Sequence, residues 1–330
     1  MTPALPASEG RFPWHELPRP GVFESACPLC GSRDTNLVYE AGLGWNNQVG
    51  TLHCGGCTGL FTSPHHDADT LTRFYALHFP RHNPFKSLDA DGQVTSGDAL
   101  ARSRFVIEAT GAPKHWRVLE VGAGSGDFLV AMREVGAGEG IGLEPALGVP
   151  EARHSAVTLR RRPLTDPDDL GEGKFNLIAM FHVLEHLVDP VTFLGKLRKQ
   201  LDSPGFIAIE VPNLYRYRFP HPDRYFRHIH LSNFTPRSLR LAASQCGLYP
   251  VRWNGVGRKH LSVVFGTEPG KPLRRDEEGP SYRRCRAYLR FIKRFSGIEA
   301  ALAARSTRAA AAARLLGQAY ARLLLGSVIP

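Results

Sequence analysis

Short apolar runs alternate with amphipathic stretches through the middle of this 330-residue chain. The runs at 117–121, 140–144, 156–159, 175–180, 205–211, 249–254 and 261–266 have the length and make-up of buried strands. Between the first two, 127–135 places Phe128, Leu129, Met132 and Val135 at helical spacing. Repeated strand–helix order implies a mostly parallel sheet with helices on both faces. A helix over 236–246 is signalled at both ends: Thr235 can cap it, Pro236 suits its first turn and Gly247 follows it. Further helices are expected at about 69–78 and at 97–110, the latter covering the sheet before its first strand. Residues 1–22 read as a Pro-rich disordered lead and 79–96 as a linker.

The first strand ends in Val118-Leu119-Glu120-Val121 and runs into Gly122-Ala123-Gly124-Ser125-Gly126-Asp127. Three alternating glycines allow a tight turn and a close approach of a ligand to the backbone. A dinucleotide fingerprint would need glycine where Asp127 stands, and no P-loop Gly-Lys-Ser/Thr follows. The next strand, Gly140-Ile141-Gly142-Leu143-Glu144, ends in an acid 24 residues beyond Glu120. An acid at that distance can accept hydrogen bonds from ribose hydroxyls.

Together these segments resemble the class I S-adenosylmethionine-dependent methyltransferases. Val118–Gly126 resembles their first motif. Phe175-Asn176-Leu177-Ile178 with Val183-Leu184-Glu185-His186-Leu187-Val188-Asp189-Pro190 resembles their F-D-x-I…V-L-E-H-x-x-D-P segment, with Asn176 in place of Asp. Phe206–Asn213 resembles the fifth strand and its exit, and His230-Leu231-Ser232-Asn233-Phe234-Thr235 the entry to the last helix. The resemblance covers about 115–266. It implies a Rossmann-like, seven-stranded α/β methyltransferase sheet with its last strand antiparallel, and S-adenosylmethionine as cofactor. It further implies that Glu120, Gly122, Gly124 and Gly126 hold the methionine end, that Glu144 holds the ribose, and that Phe181 and His182 lie along the cofactor. Leu164 is expected near the adenine.

Methyl transfer to a hydroxyl or carbon acid also needs a base, a role suited to histidine near neutral pH. His182, His186, His228 and His230 fall on the expected rim, at the carboxyl ends of the strands. His230 and His186 are the candidate catalytic residues, and Glu185 reads as structural. Residues 214–230 form an aromatic loop with Arg216, Arg218, Arg224 and Arg227 against one acid, Asp223. Arginine forks suit phosphate or carboxylate, so the expected acceptor is a small molecule, such as an anionic nucleotide-linked sugar. A self-packed lid and RNA contact remain open readings of this loop.

Cys27-Pro28-Leu29-Cys30 and Cys54-Gly55-Gly56-Cys57 are two C-x-x-C knuckles with 23 residues between them. This spacing matches a closed, structural Cys₄ zinc ribbon. Two disulfides are the alternative, disfavoured by the expected cytoplasmic location and the lack of a visible secretory signal. Cys246 and Cys285 stand alone. Ribbon, helix and methyltransferase domain in this order resemble a bacterial group that includes sugar C-methyltransferases and polysaccharide-cluster methyltransferases. After about 266 the chain departs from the sugar enzymes, whose further α/β domain it lacks. The expected organisation is a lead to 22, a ribbon over 23–66, linker and helices over 67–110, the methyltransferase domain over 111–268, and a basic helical extension over 269–330.

Composition adds two points. A 42% hydrophobic content suits a sizeable core, and no apolar run is long enough to span a membrane. The net charge is +10, and 271–330 alone holds 13 Lys/Arg against 4 Asp/Glu. The excess therefore sits on the tail, which makes a nucleic-acid groove across the catalytic domain the weaker reading. Tyr282, Cys285, Leu289, Ile292 and Phe295 recur at helical spacing among arginines, and a second helix is expected at about 299–325. The 282–295 stretch could lie peripherally on an anionic inner membrane face, pack on the domain, or join a homodimer. Two rival functions stand beside a small-molecule methyltransferase: an RNA methyltransferase using ribbon and tail, and a non-catalytic cofactor-binding interaction protein, which Asn176 keeps open.

Overall fold

The computed structural model describes residues 20–42, 48–78, 97–111, 114–146, 157–162, 173–215, 229–254, 260–269, 280–303 and 307–325. Seven strands form the main sheet: β4 (Arg117–Val121), β5 (Glu139–Glu144), β6 (Val157–Arg161), β7 (Phe175–Phe181), β8 (Leu201–Pro212), β10 (Tyr249–Trp253) and β11 (His260–Gly266). Their order is β10-β11-β8-β7-β4-β5-β6. The five strands from β8 to β6 are parallel, while β11 runs antiparallel to both β8 and β10. Each expected strand is present, and β8 begins four residues earlier than its apolar run because Leu201 already pairs with Phe175.

Side chains alternate across this sheet as the pleat requires. Leu119, Val121, Ile178, Met180, Ile207, Ile209 and Val263 share one core with α4 (Pro190–Lys199) and α5 (Pro236–Ser244). Val118, Leu177, Ala179, Ala208 and Val264 share the other with α2 (Gly97–Thr110) and α3 (Asp127–Glu134). Glu120 and Glu210 are the acids that interrupt these runs.

A second, antiparallel sheet comprises β1 (Thr35–Gly42), β2 (Gln48–Cys54), β3 (Leu60–Ser63) and β9 (Ser232–Asn233). Its fourth strand comes from the segment between β8 and α5, so the cysteine-bearing segment is joined edge-on to a loop of the catalytic sheet. The Thr62 amide donates to the Leu231 carbonyl at 2.9 Å. The expected 69–78 helix is α1 (Ala68–Arg73) followed by a wider turn, Phe74–His78, that buries Phe74. Gly21 and Val22, at the end of the expected lead, pair with His65.

The tail forms two helices, α6 (Tyr282–Ala303) and α7 (Thr307–Leu325). The first runs eight residues past its expected end at 295. Cys285, Tyr288, Leu289 and Ile292 are buried in the same core as Cys27, Leu29 and Phe61. Tyr282 stacks on His53 at 4.7 Å and accepts a hydrogen bond from Asn36. The apolar stripe of 282–295 is thus packed against the ribbon. Among the described residues no helix is long and apolar enough to cross a membrane.

Candidate active site

The carboxyl ends of β4, β5, β7 and β8 form one rim. Gly122, Gly124 and Gly126 all have left-handed φ values, 72°, 54° and 81°, which side chains with a Cβ rarely tolerate. A Cβ on Gly122 would also stand 2.5 Å from Val183 Cγ2. Glu144 closes the turn: Oε2 accepts from the Gly124 amide at 2.9 Å and Oε1 from the Ala146 amide at 3.0 Å. Each oxygen keeps a second acceptor site. Burial raises the Glu144 pKa, against these two amides.

Glu120 is 4% exposed, and its Oε2 has no hydrogen-bond partner among the described residues. Burial pushes its carboxyl well above the usual range; Arg102 opposes this, and Asp127 and Glu144 add to it. Phe181 is held between the Phe128 ring, 4.8 Å away and edge-on, and the Arg102 guanidinium at 4.5 Å. His182 follows with a left-handed φ of 59° and donates its backbone N–H to the Glu210 carbonyl.

Two carboxylates organise the histidines. His182 Nδ1 lies 3.3 Å from Glu185 Oε1, and its Nε2 lies 3.3 Å from Glu210 Oε1. Burial opposes a charged ring, but the two carboxylates outweigh it and push His182 up to about 9. Glu210 also takes Arg102 at 2.6 Å and the Ser262 hydroxyl at 2.7 Å, and is held well below the carboxylate range despite its burial. Burial would raise Glu185, yet His182, His186 and His230 bring it down to about 2. His186 and His230 meet edge-on, ring centroids 4.9 Å apart. The His186 Nδ1 faces the Ile229 carbonyl at 2.9 Å and the Tyr75 hydroxyl at 2.7 Å.

The four cysteines converge as their spacing predicted. Their sulfurs lie within 4.8 Å of one another, with Cys27–Cys57 at 3.7 Å and Cys30–Cys54 at 3.5 Å. A disulfide needs about 2.05 Å, whereas thiolates around one tetrahedral zinc stand about 3.8 Å apart. The cluster can therefore hold a zinc ion.

With this geometry in view, a family model described as a methyltransferase domain matches residues 69–252, more than half of the chain. The chain belongs to this methyltransferase family. Solved structures similar to this chain include an S-adenosylmethionine-dependent methyltransferase from Mesorhizobium loti, 14% identical over 52% of this chain and 98% of that one, with a TM-score of 0.44. The CcbJ methyltransferase from Streptomyces caelestis is 16% identical over 52% and 89%, TM-score 0.42. Magnesium protoporphyrin IX methyltransferase from Synechocystis, solved with bound SAH, is 12% identical over 52% and 82%, TM-score 0.40. No curated protein matches the chain in sequence.

In this methyltransferase the departure at Asn176 lies away from the rim. It sits at the opening end of β7, where its Oδ1 accepts from the Arg117 amide at 2.9 Å. It therefore says nothing against catalysis. Leu164, His228 and Arg216, Arg218, Arg224 and Arg227 fall outside the described residues. Sequence reasoning missed Arg102, Tyr75, Ser262 and His260, whose ring meets His182 at 4.4 Å. A lone acid in the Ile209-Glu210-Val211 run was the one available signal, and it was passed over as part of a strand.

Proposed function

We propose that this methyltransferase transfers the methyl group of S-adenosylmethionine to an oxygen or carbon of a small-molecule or saccharide acceptor. The Glu185–His186–His230 cluster carries this reading, because a hydroxyl or carbon acid must give up a proton to such a group as it takes the methyl. S-Adenosylmethionine, when bound, supplies a methyl group already activated on a sulfonium. The residues present fit it. The orphaned Glu120 oxygen calls for a donor such as an ammonium, the glycines open the backbone to the methionine end, and Glu144 keeps acceptor sites for ribose hydroxyls. Phe181 and His182 flank the same turn.

At the acceptor, a hydroxyl or carbon acid gives up its proton as the new bond forms. His230 or His186 takes that proton, an effect worth about 10²–10⁴-fold, and Glu185 stabilises the resulting imidazolium. The ribbon contributes as a structural zinc site built from Cys27, Cys30, Cys54 and Cys57, with no open position for chemistry. The charge distribution favours a small acceptor over RNA, since the basic excess lies on the tail.

Purified protein given methyl-labelled S-adenosylmethionine and a bacterial extract should label a small molecule or saccharide. Label that tracks with RNA, with steep salt dependence, overturns the acceptor class. His230→Ala and His186→Ala are then compared in single turnover, with cofactor binding measured separately. A fall in rate in one of them supports a part in proton removal, and unchanged rates in both remove the base role.

A further inference from the structure

The same rim holds a second metal-ligand set, distinct from the cysteines. One carboxylate oxygen of Glu185 and one ring nitrogen each of His186 and His230 lie within 4.8 Å of one another. Ligands about 2.1 Å from one ion stand roughly 3–4 Å apart, so a ring movement of less than about 1 Å closes the set.

Three observations distinguish this cluster from an ordinary hydrogen-bonded one. First, His186 Nε2 lies 3.8 Å from Glu185 Oε1, too far for a hydrogen bond and suited to two ligands bridged by one ion. Second, the Ile229 carbonyl can only accept, so their 2.9 Å contact is satisfied when His186 Nδ1 carries the hydrogen, with the Tyr75 hydroxyl as a second acceptor at 2.7 Å. In that neutral tautomer the Nε2 lone pair is turned toward Glu185. A histidine fixed through its other nitrogen by a backbone carbonyl is the usual outer-shell arrangement of a metal ligand. Third, the Glu185 side chain is 1% exposed, and its Oε2 has no partner among the described residues. A buried carboxylate oxygen without a donor is costly, and a cation would satisfy it.

We propose that Glu185, His186 and His230 bind a divalent cation whose open coordination positions take an oxygen of the acceptor. Two imidazoles and one carboxylate suit manganese, iron, nickel, cobalt or zinc better than calcium. The proposal rests on the reading of this rim as the acceptor site and deepens it. A bound cation would lower the pKa of an acceptor hydroxyl, whose proton would pass to solvent water as the oxygen takes the methyl group, and the two histidines would then act as ligands instead of bases. Tyr75, 2.7 Å from His186 Nδ1, becomes a positioning residue for the metal ligand. His182 keeps its second carboxylate, Glu210, when Glu185 turns to the ion.

The test uses full-length, zinc-replete protein, so that the four thiolates are filled. Manganese(II) is the probe because thiolates bind it poorly. Paramagnetic resonance and calorimetry should find one manganese per chain with S-adenosylmethionine absent. Binding should be lost in Glu185→Gln and in His230→Ala and weakened about 10-fold in Tyr75→Phe, with cofactor affinity unchanged in all three. Lack of binding at 1 mM manganese, on the order of the weakest specific sites, overturns the proposal, as does binding that survives both Glu185→Gln and His230→Ala. Methyl transfer that resists chelation alongside lack of manganese binding removes the cation and leaves the proposed function intact. Manganese binding lost in both variants supports the site even if no small molecule is methylated.

Discussion

Glu120 bears a desolvation cost that the charge of Arg102 only partly offsets. Its Oε2 is buried without a donor, beside Asp127 and Glu144. Replacing one such group by a neutral isostere removes a penalty of about 1–3 kcal/mol. Glu120→Gln should therefore melt at the same or a higher temperature, while its affinity for S-adenosylmethionine falls about 10–100-fold, the worth of a charged hydrogen bond. Calorimetry of binding and of unfolding on the same variant checks both halves, and a destabilised variant with unchanged affinity would show that Glu120 is structural. His182 makes a second residue-scale prediction. Its pKa is raised from 6.5 to about 9, so its contribution to stability is full below pH 6.5 and lost as pH rises through 9. Glu185 is lowered from 4.5 to about 2, so its contribution is full above 4.5 and lost as pH falls through 2. The pair is strongest between these limits, from pH 4.5 to 6.5. Melting temperatures measured from pH 6.5 to 9.5 should fall more steeply for the native chain than for His182→Gln; parallel curves would contradict the ion pairing.

At the scale of elements, α5 shows how one cap serves two parts of the fold. The Thr235 hydroxyl accepts from the Ser238 amide at 3.1 Å, and the Ser238 hydroxyl accepts from the Thr235 amide at 2.9 Å. The same Thr235 hydroxyl meets Thr58 beside the Cys57 knuckle at 3.0 Å. Thr235→Ala should cost about 1–2 kcal/mol in urea unfolding, and the mutation should act on α5 and the ribbon together. That cap was legible in the sequence as Thr235-Pro236 with Gly247, because caps are local. The seven strands were legible for a similar reason: each is an apolar run long enough to be read alone. What was not legible depends on partners far along the chain. Arg102 meets Glu210 across 108 residues, and Tyr75 meets His186 across 111. β9 has two residues and carries no periodicity; only its pairing with Leu60 and Phe61 makes it a strand. The apolar spacing that marks α6 ends at Phe295, although the helix goes on. A single helical glycine costs only about 1 kcal/mol, so the helix continues through it to Ala303.

Across the whole molecule, ribbon, sheet and tail share one core, and this decides what the basic extension does for stability. Cys285, Tyr288, Leu289 and Ile292 are at most 2% exposed, packed in the core that contains Leu29, Phe61 and Tyr215. Removing α6 returns these side chains' partners to water. Complete burial of an aliphatic or aromatic side chain contributes about 1.5–3 kcal/mol, so losing this face costs on the order of 5–10 kcal/mol as an upper bound. A domain of this kind has only about 5–15 kcal/mol in total. Arg283, Arg284, Arg290 and Arg294 point outward from the same helix, so attraction to an anionic surface can proceed without α6 leaving the core and should weaken with salt. A chain ending at 279 is therefore expected to precipitate or to unfold at much lower urea than the full chain. A chain ending at 306 loses α7, whose buried residues among those described are the small Ala313, Gly317 and Ala321, and should stay folded with its cysteine cluster able to retain zinc. Soluble yield, urea midpoint and bound zinc per chain compared across the three lengths test this ordering. A 1–279 chain with the full chain's midpoint would show that the tail only rests on the ribbon.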